Sequence, residues 1–218
     1  AGGAGGAGLD ITEVFSTYLY DGNDSAQTIT NGIDLAGEGG MVWGKNRDDA
    51  YDHNLTDTER GVSKHIRSNT TDAEQFLSGY NVTAFNSNGF SLGLGSDLNG
   101  SFDYASWTFR KAPKFFDVVT YTGTGNGAAD FQDIPHNLGT APGTVIIKRL
   151  NAGENWAVWH RSIPSDMLQL NVSDGSGDAG GKFTASGVAN MTSTTFRVYG
   201  DNQTGTSGGT FVAYLFAH

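Results

Sequence analysis

The chain has 218 residues, 32 of them Gly and none Cys, with 17% charged residues and a formal net charge of −10. An acidic surface repels phosphate backbones, which argues against nucleic-acid binding, and without Cys neither disulfides nor thiolate metal sites can form. No apolar run approaches the length of a membrane-spanning helix, and 11% aromatic residues set the composition apart from that of a disordered chain.

In chain order, residues 1–9 open with a Gly/Ala run and read as a flexible leader or the end of a stalk. Strands are predicted at Val14–Tyr20, Met41–Trp43, Tyr104–Phe109, Phe116–Thr122, Thr144–Lys148, Trp156–His160, Met167–Val172, Thr194–Tyr199 and Thr210–Phe216. Each is short, β-branched or aromatic, and bounded by Gly, Asn, Asp or Ser. The best helical window is Thr71–Leu77, a short turn with Thr or Asp at its cap. Asn31-Gly32, Asn88-Gly89, Asn99-Gly100 and Asp174-Gly175 supply residues that tolerate the positive φ of tight turns.

Three blocks recur in the same order. Phe15-Ser-Thr-Tyr-Leu-Tyr20 answers to Phe116-Asp-Val-Val-Thr-Tyr121, Gly40-Met-Val-Trp-Gly-Lys45 to Gly143-Thr-Val-Ile-Ile-Lys148, and Tyr104–Phe109 to Phe211–Phe216, at offsets of 101, 103 and 107 residues. Such a period points to an internal duplication. The expected fold is all-β: two tandem antiparallel β-sandwich modules, jelly-roll or lectin-like, over residues 10–112 and 113–218. One larger sandwich drawing strands from both halves is the competing arrangement.

Several segments resemble a repeated domain of virion proteins from tailed phages of marine bacteria and cyanobacteria, found in tail-fibre and structural proteins. They are Thr28–Trp43, Arg67–Thr71, Val82–Leu92, the long run Ser106–Gly123, and the terminal Tyr214–His218. Gly44 departs from the bulkier apolar residue expected at its position. The resemblance implies a virion location and an attachment role, with other virion proteins and a host-surface glycan or receptor as partners and a homotrimer by analogy with fibres. It carries no catalytic motif. Two alternatives stand beside it: a capsid-decorating or fibre-spacer domain that binds no receptor, and a polysaccharide depolymerase.

The duplication also sorts the candidate site residues. Asn155-Trp-Ala-Val-Trp-His160-Arg161 aligns with Asp48–Asn54, matching His160 to His53 and leaving Trp156 and Trp159 without aromatic counterparts. In a strand, residues three apart face opposite sides, so one Trp can enter the core while the other is exposed. An exposed indole offers a flat apolar face to a sugar. Asn155, Trp156, Trp159 and Arg161 therefore form the candidate ligand site, whereas Trp43 and Trp107 are expected in the core. Asp174, Ser176 and Asp178 space oxygen atoms as a calcium loop does, but Ala185 stands twelfth where an EF-hand has Glu. Neither a cofactor motif nor a nucleophile elbow, zinc-protease or P-loop signature is found, and the chain reads as non-catalytic.

Overall fold

The computed structural model describes residues 9–185 and 187–218, so the Gly/Ala run expected as a leader over residues 1–8 lies outside the described residues. A single helical turn, α1 (Ile11–Val14), is capped by the Asp10 carboxylate, which accepts from the Thr12 amide. Strands follow: β1 (Phe15–Asp21), β2 (Gln27–Thr30), β3 (Gly40–Asn46), β4 (Asn54–Asp57), β5 (Lys64–His65), β6 (Gln75–Phe76), β7 (Val82–Asn86), β8 (Gly89–Leu92) and β9 (Asp103–Arg110). The second half contributes β10 (Phe116–Thr122), β11 (Phe131–Pro135), β12 (Thr144–Arg149), β13 (Ala157–His160), β14 (Asp166–Gln169), β15 (Gly177–Asp178), β16 (Thr195–Tyr199) and β17 (Thr210–Phe216). The fold is all-β, built from several antiparallel sheets.

The larger sheets run β1-β9-β3-β4 and β10-β17-β12-β13-β14-β15. In each, the first strand pairs with the last, the last with the third, and the third with the fourth. Their registers correspond: Phe15 faces Phe109 and Met41 faces Phe109 in one, while Phe116 faces Phe216 and Thr144 faces Phe216 in the other. Smaller sheets, β2-β8-β7 and β11-β16, lie over them. One core is formed where β2-β8-β7 covers the first large sheet, around Ile29, Val42, Phe90, Leu92 and Tyr104. A second forms where β11-β16 covers the other, around Ile134, Val145, Ile147, Phe196 and Phe211.

A third core lies between the two large sheets. Alternation along β17 sends Phe211, Ala213 and Leu215 to the second core and Val212 and Tyr214 to the other face. There they meet Met41, Leu55 and Ile66 of the first half, with Phe116, Val118 and Trp156. Both faces of each large sheet are thus covered over part of their area, as in a buried sheet rather than a half-solvated one.

Buried polar groups fasten this middle core. The Arg60 guanidinium and the Asp57 carboxylate meet at 2.6 Å, both fully enclosed, and the Tyr214 hydroxyl donates to Asp57 at 2.8 Å from the opposite half. Burial opposes the charge on Arg60, but Asp57, Tyr214 and Glu74 outweigh it and hold the group more firmly protonated than usual. Lys148 is buried as well. Its Nζ donates to the carbonyls of Thr71, Arg149 and Glu154, each at 3.0 Å. Three acceptors match the three N–H groups of an ammonium. Burial nevertheless pushes the Lys148 amine down to about 8, against the pull of Glu154 and Asp72.

The same junction overturns the expected helix at Thr71–Leu77. The Thr71 carbonyl accepts from Glu154 N at 2.9 Å, and Glu74 N donates to Leu150 O at 2.8 Å. Gln75 and Phe76 pair with His65 and Lys64. Backbone groups that a helix needs internally are engaged by the other half and by β5, so the segment is extended.

Gly44 points into the first core beneath Leu98. A Cβ there would stand 2.3 Å from Leu98 Cδ2. The bulk expected at Gly44 is supplied by Leu98, while the corresponding ladder position in the second half, opposite Ala157, carries Ile147.

Candidate functional site

The expected tryptophan site does not assemble. Trp156 and Trp159 do face opposite sides of their sheet, as alternation requires, but both are buried, at 0% and 4% exposure. The sheet is covered on both faces, so neither indole is available as a flat platform. Trp156 lies in the middle core and donates its Nε1 to the carbonyls of Arg67 and Thr70 at 3.0 and 3.2 Å. Trp159 lies in the second core and donates to Pro164 O at 3.2 Å. Asn155 is held between the side chains of Gln169 and Asn171. Arg161 stays exposed, beside a shallow hollow with Pro142 and His218.

The pairing of His53 with His160 also changes. Asp57 stands opposite Met41 in β3, and His160 stands opposite Thr144 in β12. By ladder position His160 therefore corresponds to Asp57, and Trp156 to His53, a shift of four residues from the sequence alignment. At the other proposed loop, Ser176 donates to Asp166 at 3.3 Å and Asp178 accepts from Gly180 N at 2.8 Å. Asp174 is exposed nearby with Lys182. Among the described residues no three His, Cys, Asp or Glu side chains converge on one point.

Trp43 and Trp107, expected in the core, are instead half-buried. They face each other across the β3–β9 ladder, edge to face with centroids 6.4 Å apart, and frame an open apolar cleft of about 310 Å³ with His53 and Phe109. Trp43 Nε1 donates to His53 Nδ1 at 2.9 Å. Burial, reinforced by Lys45, pulls the His53 imidazole below its ordinary range and keeps it neutral as an acceptor.

A groove of about 560 Å³ opens in the first half, bounded by β5, β6 and the loops at Tyr80 and Gly95–Asp97. That size lies in the range of ligand sites, roughly 300–1,000 Å³. Tyr51, Phe76, Leu77 and Tyr80 supply its apolar walls, with Phe76, Leu77 and Tyr80 exposed. His65 and Asn81 line it and are themselves almost fully buried, at 4% and 3% exposure. His65 Nε2, Arg67 Nε and Asn81 Oδ1 are buried atoms without a hydrogen-bond partner. Buried polar atoms normally find partners, so three around one groove mark it out.

Local backbone chemistry makes the groove. Asn81 adopts φ +53, a left-handed conformation that Asn tolerates. Its amide donates to Leu94 O and its carbonyl accepts from Gly93 N, both at 2.9 Å, which clamps the two loops together. Gly95, at φ +126, packs close to the Asn81 amide oxygen, and a Cβ there would sit 2.9 Å from it. Arg67 is held among carboxylates, with Asp52 and Asp97 at 3.4 Å and Asp72 at 3.8 Å. The Asp52 contact to Nε is an ion-pair approach and not a hydrogen bond. Burial, and after it the Arg67 charge, lowers the affinity of His65 for a second proton, so its ring is neutral at pH 7.

None of these groove residues stands out individually in the sequence. Arg67 falls within a segment carrying the phage-domain resemblance, but Asp52, Asp72 and Asp97 are too far apart in the chain to be read as one cluster.

A family described as a domain of unknown function, DUF7483, matches residues 10–218. Neither a curated protein nor a solved structure matches the chain.

Proposed function

The chain belongs to the DUF7483 family, and from the resemblance of its segments to virion proteins of tailed phages we propose that it is a phage virion module that attaches non-catalytically to the host cell surface, through a glycan. The observation that carries the reading is the groove lined by His65, Arg67 and Asn81, each with a buried polar atom that has no partner, and walled by exposed aromatic rings. Sites for small polar ligands combine these two features. Weak contacts of this kind gain avidity when many copies are displayed on one particle. A trimeric fibre would provide that display.

Two modules related by duplication form the framework of this reading. It is supported by the matching strand order of the two large sheets and by ladders that correspond at the same offsets as the repeated blocks. The groove belongs to the first module, so attachment is a property of one copy.

Catalysis finds less support. Canonical glycoside hydrolysis needs two carboxylates flanking the bond, and Asp97 is the one carboxylate lining the groove among the described residues. A spacer role has a specific observation in its favour: the half-exposed Trp43–Trp107 cleft could seat another virion protein.

The test is binding of fluorescently labelled protein to host cells and to purified surface polysaccharide. Saturable binding that Tyr80→Ala weakens supports attachment. Absence of binding to cells and to glycans, with the chain present in purified virions, would transfer the assignment to the spacer. Release of oligosaccharides would make it an enzyme.

A further inference from the structure

We propose that the His65–Asn81 groove takes an uncharged, hydroxyl-bearing sugar and discriminates against acidic glycans; this rests on the attachment reading and names its ligand class.

The first argument is the hydrogen-bond inventory. Arg67 Nε can only donate, Asn81 Oδ1 can only accept, and neutral His65 Nε2 does one or the other according to its tautomer. All three lack hydrogen-bond partners. A ligand that satisfies them must both donate and accept. A hydroxyl group does both, and adjacent ring hydroxyls do so in pairs. A carboxylate or sulfate presents acceptors alone and would set oxygen against the Asn81 oxygen.

The second argument is charge. The Arg67 guanidinium is met by Asp52, Asp72 and Asp97. One positive charge against three negative ones gives the cluster around Arg67 a net charge of −2, and of its carboxylates Asp97 lines the groove. His65 is neutral and offsets none of it. Arg67 therefore does not act as an anion clamp, since neighbouring carboxylates already balance its charge. An anionic sugar entering here would pass close to Asp97, which lines the groove, in a partly desolvated setting where like charges repel more strongly than in water.

The third argument is shape. Tyr51 is buttressed by Phe102, with ring centroids 5.8 Å apart, and Phe76 and Tyr80 stand exposed at the mouth. Aromatic walls around a polar floor suit a ring that has hydroxyl edges and C–H faces.

The experiment screens the native chain against immobilised neutral, acidic and amino-sugar glycans at fixed ionic strength. Its variants are Tyr80→Ala, Asn81→Gly and Asp97→Asn, each checked for unchanged thermal unfolding. Neutral glycans should bind at least tenfold more tightly than uronic- or sialic-acid counterparts. Tyr80→Ala and Asn81→Gly should each weaken that binding about tenfold. Glycine keeps the positive φ at residue 81, and exposed Tyr80 provides a second variant that does not burden the fold. Asp97→Asn should narrow the gap between neutral and acidic ligands. Tightest binding by acidic or by amino sugars overturns the inference and leaves attachment standing. Binding to host cells with no response on any glycan overturns the ligand class alone. Silence on both cells and glycans removes the attachment reading itself.

Discussion

The Trp156 indole donates across the junction between the two halves to the carbonyl of Arg67, 3.0 Å away. Arg67 in turn faces Asp52 and Asp97 beside the candidate groove. The residue that the sequence marks as a ligand platform instead reaches the site from behind, by positioning the backbone of a residue that borders it.

Trp156→Phe should therefore destabilise the protein by about 1–3 kcal/mol, the cost of taking this donor from the part-buried Arg67 and Thr70 carbonyls. Trp156→Ala should cost more, about 3–5 kcal/mol, because it also opens a cavity in the middle core. Urea unfolding followed by far-UV circular dichroism measures both. If the middle core couples the halves, each variant still unfolds in one transition; two separated transitions would show that the halves unfold independently.

Tyr214→Phe removes the hydroxyl that bridges to Asp57 and should cost about 1–3 kcal/mol. Asp57→Asn should cost more, about 3–5 kcal/mol, since it takes the closest countercharge from buried Arg60. The order of the two midpoints in denaturant is the check, and equal midpoints would mean that the ion pair contributes little.

Lys148 predicts a pH dependence with a definite sign. Its amine titrates near 8 when folded and near 10.5 when unfolded. Between those values the unfolded chain holds more protons, so stability rises with pH. The full effect is bounded at roughly 3 kcal/mol, since each tenfold loss of proton affinity on folding is worth about 1.4 kcal/mol. Burial raises Tyr121 and Tyr214, so above about pH 10 the unfolded chain loses protons first and stability falls again. Lys148→Met should abolish the rise between pH 8 and 10 and keep the fall. Thermal unfolding across pH 7–11 reads both limbs.

Gly44→Ala should cost about 1–3 kcal/mol by overpacking against Leu98. Leu98→Ala alone should cost about 2–5 kcal/mol. Their combination should cost less than the sum, because each relieves the defect of the other. A double-mutant cycle with simple additivity would separate the two sites.

The strands legible in the sequence are those whose own side chains decide the matter. Phe116–Thr122 and Thr210–Phe216 are rich in β-branched and aromatic residues, and both appear at the expected bounds. Thr71–Leu77 departs from its predicted helix because its backbone partners, Leu150 and Glu154, lie some eighty residues away. The tryptophans depart from expectation for a related reason. Alternation correctly places Trp156 and Trp159 on opposite faces, but whether a face meets water depends on the layer beyond it. Trp43 and Trp107 lie where their sheet is covered only in part, and they stay half open. The groove is illegible in the sequence because its defining feature is unpaired atoms, and pairing is a property of the folded neighbourhood.

The middle core has a consequence for how such a chain can be divided. A cut near residue 112 would leave each half its complete strand order while baring Met41, Leu55 and Ile66 on one fragment and Phe116, Val118 and Tyr214 on the other. Each fragment would carry a sticky flank and half of a charge network, with Arg60 parted from Tyr214. Transplanting the groove into another scaffold therefore means moving both halves together, even though the groove touches only one.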